Sequence, residues 1–226
     1  MRIHQAVAQK LGSEILEGKY PPESLFPGEI EHSAFLNVSR TPYREAIRTL
    51  VAKGLLESRP RTGTRVTRRD RWNLLDPDIL AWMFSSIPDK QFIHDLFELR
   101  NVLEPTAAMM AAKRRTQEQL LRMERALKAM QNLGLASIGG QEADQQFHAE
   151  ILLAAGNQAL STLTSSVGAA VRWTTHYKQS SSVAPRDPFP EHEAVYLAIA
   201  NSDPDAAKAA MEYLVRQALL DMHIEL

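Results

Sequence analysis

The stretch that decides the fold of the N-terminal region reads Val38-Ser39-Arg40-Thr41-Pro42-Tyr43-Arg44-Glu45-Ala46-Ile47. Ser39 is a favourable N-cap residue, because its hydroxyl can accept a hydrogen bond from a free amide of the first turn. Pro42 lies within that turn, where a missing N–H is tolerated. Arg40, Arg44 and Arg48 then fall within an arc of about 80° on a helical wheel. The stretch therefore predicts a helix with one cationic face, which is either a solvated basic face or the face that reads a DNA major groove.

Two further helices and a hairpin are predicted around this segment. The helical patterns lie at 5–17 and 28–35, and the strand patterns lie at 55–58 and 65–67. Three helices followed by a hairpin make a winged helix-turn-helix. At the predicted hairpin tip, Gly63 lets the backbone come close to DNA, and Arg61 enters a minor groove or holds a phosphate.

The predicted winged helix-turn-helix contains a series of motifs in a specific order. They are Gly18, Leu25-Phe26-Pro27-Gly28-Glu29, Val38 to Ala46, Leu50, Gly54-Leu55 and Gly63-Thr64-Arg65-Val66. The series resembles the N-terminal domain of the GntR family of bacterial transcription regulators, over residues 1 to about 70. His32 departs from the family pattern, which usually has leucine at this position. The difference affects the packing of the second helix and not the DNA-reading face. The resemblance implies DNA contacts from Arg40, Thr41, Arg44 and Gly63. The full predicted DNA-contact set is Ser39, Arg40, Thr41, Arg44, Arg48, Arg61 and Gly63.

The charge of the chain is unevenly distributed. Residues 1–71 hold 13 Lys and Arg against 8 Asp and Glu, whereas residues 72–226 hold 13 against 19. A basic end on an acidic remainder suits a nucleic-acid module joined to a second domain. Cysteine is absent, which excludes disulfides and thiolate metal sites. The chain begins in a polar amphipathic helix and has no apolar run of about 18 residues, so we predict a cytoplasmic protein without a membrane span.

The arginine-rich residues 68–71 mark a predicted domain boundary. We assign residues 1–70 to the DNA-binding domain, 71–88 to a linker with a first helix capped by Asp76, and 89–226 to a helical domain. Apolar residues recur at helical spacing near 76–86, 89–113, 116–133, 138–155, 157–179, 188–201 and 204–224. The predicted fold is mainly α, with a C-terminal antiparallel bundle of six or seven helices. The proline-containing residues 180–190 are a predicted loop.

Three residues of this bundle have side chains that can bind a metal. Asp144 and His148 are four residues apart, so they share a helical face, and His192 begins a later helix. One carboxylate and two imidazoles can hold one divalent ion such as Zn²⁺ or Ni²⁺. The same spacing also fits a surface pair and an unrelated histidine in a first helical turn, so both interpretations stay open at this point.

A second resemblance covers residues of about 90 to 215. It rests on Arg100 within Glu98–Pro105, Asp144-x-x-Phe147-His148, Gly156-Asn157 and Glu191-His192-x-Ala194. These motifs are similar to those of the FCD ligand domain, the C-terminal half of the FadR-type branch of GntR regulators. The resemblance implies that Asp144, His148 and His192 bind a metal. A fourth family histidine falls at Leu214, which cannot ligate, and His176 and His223 are candidate substitutes.

The same resemblance implies a small organic acid as effector. Arg100 is the predicted anion partner, because a guanidinium offers a planar fork to a carboxylate. The alternative is a structural ion pair with Glu104, one helical turn away. Arg100, Asp144, His148 and His192 form the predicted effector site. Residues 72–82 are similar to members tied to aldonate or hexuronate use, which favours a sugar acid.

Together these features predict a ligand-responsive transcription regulator that acts as a repressor. We expect a homodimer that places two recognition helices on successive major grooves of double-stranded operator DNA. One alternative is a metal-dependent hydrolase, in which an open metal position activates water. No motif places an additional general base near that site, and we therefore predict that the chain is not an enzyme. A non-sensing architectural DNA binder is a further alternative.

Overall fold

The N-terminal part of the structure is a winged helix-turn-helix, as predicted. The computed structural model describes residues 2–59, 62–85, 88–181 and 185–222, and it divides into two units, residues 1–86 and 87–226. The elements of the first unit are α1 (Ile3–Leu16), α2 (Glu29–Phe35), α3 (Arg40–Ala52), β1 (Leu56–Arg59), β2 (Gly63–Val66), a 3-10 turn (Arg69–Arg71) and α4 (Pro77–Phe84). Three helices therefore precede the hairpin.

The buried side of α3 explains why its arginines face outward. Tyr43, Ala46 and Leu50 of α3 are buried, and so are Leu11 and Ile15 of α1, the helix on which α3 packs. Each fully buried large apolar side chain stabilises the unit by about 1.5–3 kcal/mol. Burial of this side fixes the rotation of α3 about its axis and leaves the cationic side on the surface.

The N-cap of α3 corrects one expectation. Ser39 occupies the N-cap position, but its hydroxyl makes no capping hydrogen bond. An N-cap hydroxyl ordinarily accepts from the amide of the second or third helical residue. The third helical residue here is Pro42, which has no N–H. The cap interaction predicted for Ser39 is therefore wrong, and its hydroxyl remains exposed beside the start of the reading helix.

The wing is larger than the hairpin that the sequence predicted. Strands β1 and β2 pair antiparallel, from Leu56 opposite Val66 to Arg59 opposite Gly63. The connection between α1 and α2 adds a third segment. The amide of Phe26 donates to the carbonyl of Thr64 at 2.8 Å, and the amide of Val66 donates to the carbonyl of Ser24 at 3.0 Å. These bonds join the outer edge of β2 to the helix-turn-helix.

Helix α4 packs within the N-terminal unit. Asp76 caps it, because its carboxylate accepts from the amides of Asp78 and Ile79 at 2.9 and 3.2 Å. The same carboxylate accepts from Lys53 Nζ at 2.6 Å. Trp82 lies against Gly12 of α1 so closely that an added Cβ would be 2.3 Å from the indole ring. The segment that we predicted as a linker with its first helix, 71–88, thus supplies core contacts to this unit.

His32 is accommodated by polar contacts where the related family usually has leucine. The imidazole is buried, with Nδ1 3.1 Å from the Tyr43 hydroxyl and Nε2 3.4 Å from the Tyr20 hydroxyl. Burial lowers the pKa of His32. Both ring nitrogens therefore have partners, and α2 stays attached to the back of α3.

The C-terminal unit is an all-helical bundle. Its helices are α5 (Lys90–Arg114), α6 (Gln117–Leu133), α7 (Ile138–Ala154), α8 (Gln158–Ser161), α9 (Thr164–Ser181), α10 (Phe189–Ala200) and α11 (Pro204–Leu220). Helix α5 packs on α7, α10 and α11, and α7 packs on α6 and α9. The described residues of this unit form seven helices, within the predicted six or seven, although the helix predicted at 76–86 is α4 of the first unit.

One predicted helix, 157–179, is divided in the structure into α8 and α9. The hydroxyl of Ser161 donates to the carbonyl of Asn157 at 3.1 Å, and that of Thr162 donates to the carbonyl of Ala159 at 2.7 Å. Such side chains offer backbone carbonyls an alternative to the next helical turn. The spacing of apolar residues, from which the single helix was predicted, does not reveal this competition.

Candidate functional site

The predicted DNA-reading side chains form an exposed cationic ridge on α3. The side chains of Arg40 and Arg44 are each 57% exposed and that of Arg48 is 75% exposed. Thr41 is exposed at the start of the same helix. Gly63 is exposed in the wing with φ +85°, a conformation that side-chain-bearing residues rarely adopt. Arg61 lies outside the described residues.

An acidic residue of α2 joins two of these arginines. Glu29 accepts from Arg40 Nε at 2.6 Å through one carboxylate oxygen and from Arg44 Nε at 2.8 Å through the other. Hydrogen bonds from Arg44 and Arg40 lower the pKa of Glu29. Bonds through Nε hold each guanidinium by its inner edge. The sequence assigned no role to Glu29, and its only signal was its place in the Pro-Gly-Glu motif at the start of α2.

The three predicted metal ligands come together in the C-terminal unit. Asp144 and His148 lie on α7 and His192 on α10, and all three are buried. Asp144 Oδ1 is 3.0 Å from His192 Nε2 and 3.5 Å from His148 Nε2. The three ligand atoms lie within 4.8 Å of one another. The interpretation as a surface pair is therefore wrong, because these groups face one another inside the bundle.

The outer nitrogens of both imidazoles are held by acceptors. His148 Nδ1 contacts Glu104 of α5, and His192 Nδ1 is 2.8 Å from the carbonyl of Pro188. These contacts favour a proton on each Nδ1, which leaves the Nε2 lone pairs directed at the Asp144 carboxylate. Because these lone pairs and the carboxylate oxygen repel one another, a proton or a metal ion must lie between them. This arrangement of outer acceptors is typical of metal-binding histidines.

The separations fit a divalent ion with nitrogen and oxygen ligands. Ligands about 2.0–2.1 Å from a tetrahedral Zn²⁺ are about 3.3–3.4 Å apart. The separations from Asp144 Oδ1 to the two Nε2 atoms, 3.0 and 3.5 Å, are close to that value. Thr175 donates to the other Asp144 oxygen at 2.8 Å and fixes the carboxylate. The residues present therefore fit one metal ion with three protein ligands.

The pKa values of Asp144, Glu104 and His148 are shifted by burial and by the neighbouring charges and hydrogen bonds within the cluster. Burial raises the pKa of Asp144, but hydrogen bonds with His148 and His192 outweigh it and hold this pKa well below its usual range. Burial likewise opposes ionisation of Glu104, yet the charges of Arg100 and His148 lower its pKa to about 2. Burial opposes protonation of His148, but the charge of Glu104 and the bond to Asp144 raise its pKa to about 9. The carboxylates of Glu104 and Asp144 thus favour the protonated form of His148.

Arg100 is buried and forms the ion pair that was its alternative interpretation. Its Nε donates to Glu104 Oε1 at 2.6 Å, and its Nη1 donates to Thr174 Oγ1 at 3.1 Å. Glu104 thus joins Arg100 to His148. The four-residue spacing from Arg100 to Glu104 was the sequence signal for this pair. No sequence signal identified Thr174 or Thr175.

The position of the fourth family histidine carries no ligand here. Leu214 is buried on α11. His176 is exposed on α9, and its Nδ1 lies 3.3 Å from the Gln141 side chain, so it does not join the three converging ligands. His223 lies outside the described residues. The described part of the chain therefore supplies three converging ligands to this cluster.

Comparison with known proteins assigns the two units. Residues 3–66 match the family of bacterial regulatory proteins of the gntR type. Residues 95–217, more than half of the chain, match the FCD domain. The chain belongs to the GntR family. Its GntR domain contains α3 with the arginine ridge, and its FCD domain contains the Asp144–His148–His192 cluster.

Relatives share almost the full length of this chain. It is 36% identical over 203 residues to the galactonate operon transcriptional repressor of Escherichia coli K12, covering 88% of both chains. It is 35% identical over 216 residues to the uncharacterized HTH-type transcriptional regulator YieP of the same organism, covering 95% of this chain and 93% of YieP. Lar, which controls the expression of the Listeria monocytogenes agr system, shares the fold with a TM-score of 0.72 at 17% identity, over 99% of this chain and 97% of Lar.

The family and the geometry together establish the class of function. This GntR protein is a ligand-responsive, DNA-binding transcription regulator, and its relatives are regulators and not enzymes. The hydrolase and the architectural binder are thereby set aside. Among the described residues, no helix is long and apolar enough to cross a bilayer.

Proposed function

We propose that this protein is a cytoplasmic repressor that binds operator DNA as a homodimer and releases it when a small hydroxy acid enters the FCD domain. The observation that carries the proposal is the set of five charged or ionisable side chains buried within one helical bundle. These residues are Arg100, Glu104, Asp144, His148 and His192. Buried ionisable groups are costly for stability and concentrate at functional sites.

The DNA side of the proposal rests on the exposed face of α3. Arg40, Arg44 and Arg48 have side chains that can pair with guanine edges and phosphates. Ser39, Thr41 and Gly63 are exposed, and we include them as contacts to the DNA backbone. We include Arg61 of the wing from the sequence alone. Two copies related by a two-fold axis would require a pseudo-palindromic operator with half-sites about one helical turn apart.

The effector side rests on the buried cluster. We propose that Asp144, His148 and His192 hold one Zn²⁺ or Ni²⁺ ion. Arg100, which the sequence predicted as the anion partner of the effector, is engaged by Glu104 and acts on the cluster through it. Three protein ligands leave a coordination position for oxygen atoms of that effector. The 36% identical galactonate operon repressor supports a sugar acid as the effector class.

Selection of operator DNA and ligand release test this function. Duplexes selected by the full-length protein from a random library should converge on a short pseudo-palindrome. Addition of one member of a sugar-acid panel to the metal-loaded protein should then weaken binding to that duplex. The proposal fails if selection gives no common sequence, or if no acid in the panel alters the affinity.

A further inference from the structure

A cavity of about 320 Å³ lies beside the buried cluster, within the C-terminal unit. It is bounded by the end of α6, by Gln179 of α9 and by residues 185–189 before and at the start of α10, and it reaches His192. Its volume lies at the small end of the range for ligand pockets, about 300–1,000 Å³. A five- or six-carbon acid fits such a space, whereas a long acyl chain does not.

The cation that faces this cavity is Arg186. Among the described residues that line the cavity, Arg186 is the only Lys or Arg, and Arg100 is not one of them. The Arg186 side chain is 34% exposed. The other polar side chains on the wall include Gln131, Gln179 and His192, which can donate to or accept from hydroxyl groups. The wall thus offers one guanidinium, several hydroxyl partners and one carboxylate, that of Asp187, which accepts from the amide of Phe189 at 3.0 Å.

Arg186 is held by two carboxylates, that of Glu191 in α10 and that of Asp221, which directly follows α11. Its Nε and Nη2 donate to Asp221 at 3.1 and 3.0 Å, and its Nη1 contacts Glu191 Oε1. Lys178 lies 3.4 Å from the same Asp221, so this carboxylate is shared between two cations. Glu191 Oε2 is buried and accepts no hydrogen bond. Glu191 therefore engages the guanidinium through one oxygen only, and the contact is incomplete.

We infer that Arg186 binds the carboxylate of the effector, with the hydroxyl-bearing part of the molecule directed toward His192 and the metal ligands. This inference rests on the proposed effector function and adds a recognition residue to it. Asp221 already occupies the Nε and Nη2 side of Arg186 with both oxygens, so the ligand carboxylate would replace Glu191 at Nη1, where it can bind with two oxygens and Glu191 binds with one. The preferred ligands are polyhydroxy monocarboxylates of about six carbons. Binding would also reach α10 and α11, because Arg186 joins Glu191 to Asp221.

A pair of ligands that differ only in the carboxylate tests the inference. Galactonate and the neutral polyol galactitol are titrated against the full-length, zinc-loaded protein by calorimetry. Gluconate with glucitol and glucuronate with glucose extend the panel. We expect the wild-type protein to prefer an acid over its neutral counterpart by 10- to 100-fold. Arg186→Gln should lose this preference, while its affinities for zinc and for operator DNA remain at wild-type values.

Arg172→Gln is the matched control. Arg172 is 36% exposed on α9, does not line the cavity and pairs at 3.7 Å with Glu142, so its substitution should leave the acid preference unchanged. Wild-type acid affinity in a folded Arg186→Gln protein would overturn the assignment of Arg186 while leaving the effector function intact. If no acid binds the wild-type protein more tightly than its neutral counterpart does, both the assignment of Arg186 and the proposed effector function are wrong.

Discussion

Replacement of Glu104 by glutamine should destabilise the metal-free protein strongly. The Glu104 side chain is fully buried, lies 2.6 Å from Arg100 Nε and also contacts His148 Nδ1. Its pKa of about 2 means that it is ionised at neutral pH. Glu104→Gln keeps the size of the side chain and removes the charge, which leaves the Arg100 guanidinium in the bundle without its carboxylate.

The expected magnitude follows from the burial of the pair. Removal of one partner of a buried ion pair costs about 3–5 kcal/mol, because the other charge stays buried and uncompensated. Glu104 also orients His148 from the outer side, and loss of such a partner weakens metal binding about 10- to 100-fold. Urea unfolding of the metal-free protein measures the first effect, and zinc titration against a chromophoric chelator measures the second.

The chain offers a close control for this experiment. Glu118 pairs with Arg122 at the same four-residue spacing, but the Glu118 side chain is 83% exposed. Glu118→Gln should therefore change neither the free energy of unfolding nor the zinc affinity measurably. A Glu104→Gln protein as stable as Glu118→Gln, with unchanged zinc affinity, would refute the role assigned to the buried network.

Three other perturbations give separate tests. Arg44→Ala should weaken operator binding roughly 10- to 100-fold and reduce its salt dependence, and unchanged binding in a gel shift would remove Arg44 from the contact set. The pKa of His148 is raised to about 9, so the stability from its protonation is present below pH 6.5 and should be lost as pH rises to 9. Urea unfolding of the metal-free protein should show that decline, and constant or rising stability over the interval would contradict it. Gly12→Ala should lower the melting temperature, because its Cβ would lie 2.3 Å from Trp82, and an unchanged melting temperature would show that α1 and α4 separate freely.

The DNA-reading ridge was predictable because it depends on local periodicity. Arginines four residues apart share a helical face wherever the helix lies, and the apolar residues opposite them determine which face is buried. The pairing of Glu29 with Arg40 and Arg44 was not predictable in this way. It depends on how α2 packs against α3, which is a tertiary contact between residues 11 and 15 positions apart.

The candidate effector site likewise has some features that local spacing predicts and others that only the tertiary fold determines. The Asp144–His148 spacing identified one helical face, but only the fold decides whether that face is buried and whether His192 reaches it. For Arg100 the sequence left an anion partner and a Glu104 ion pair open, and the folded protein contains the ion pair. Arg186 lies in a stretch predicted as a loop, where no periodicity shows which residues face a cavity.

We expect a ligand bound in the FCD domain to control the affinity of α3 for operator DNA. Fluorescence anisotropy of a labelled, selected operator should be measured with the full-length, zinc-loaded protein, with and without a sugar acid that binds it. Coupling between two sites is ordinarily worth about 5- to 150-fold in affinity, and we expect at least fivefold weaker operator binding at saturating acid. Equal operator affinity with the acid demonstrably bound would show that the ligand site and the DNA-binding helix are not coupled.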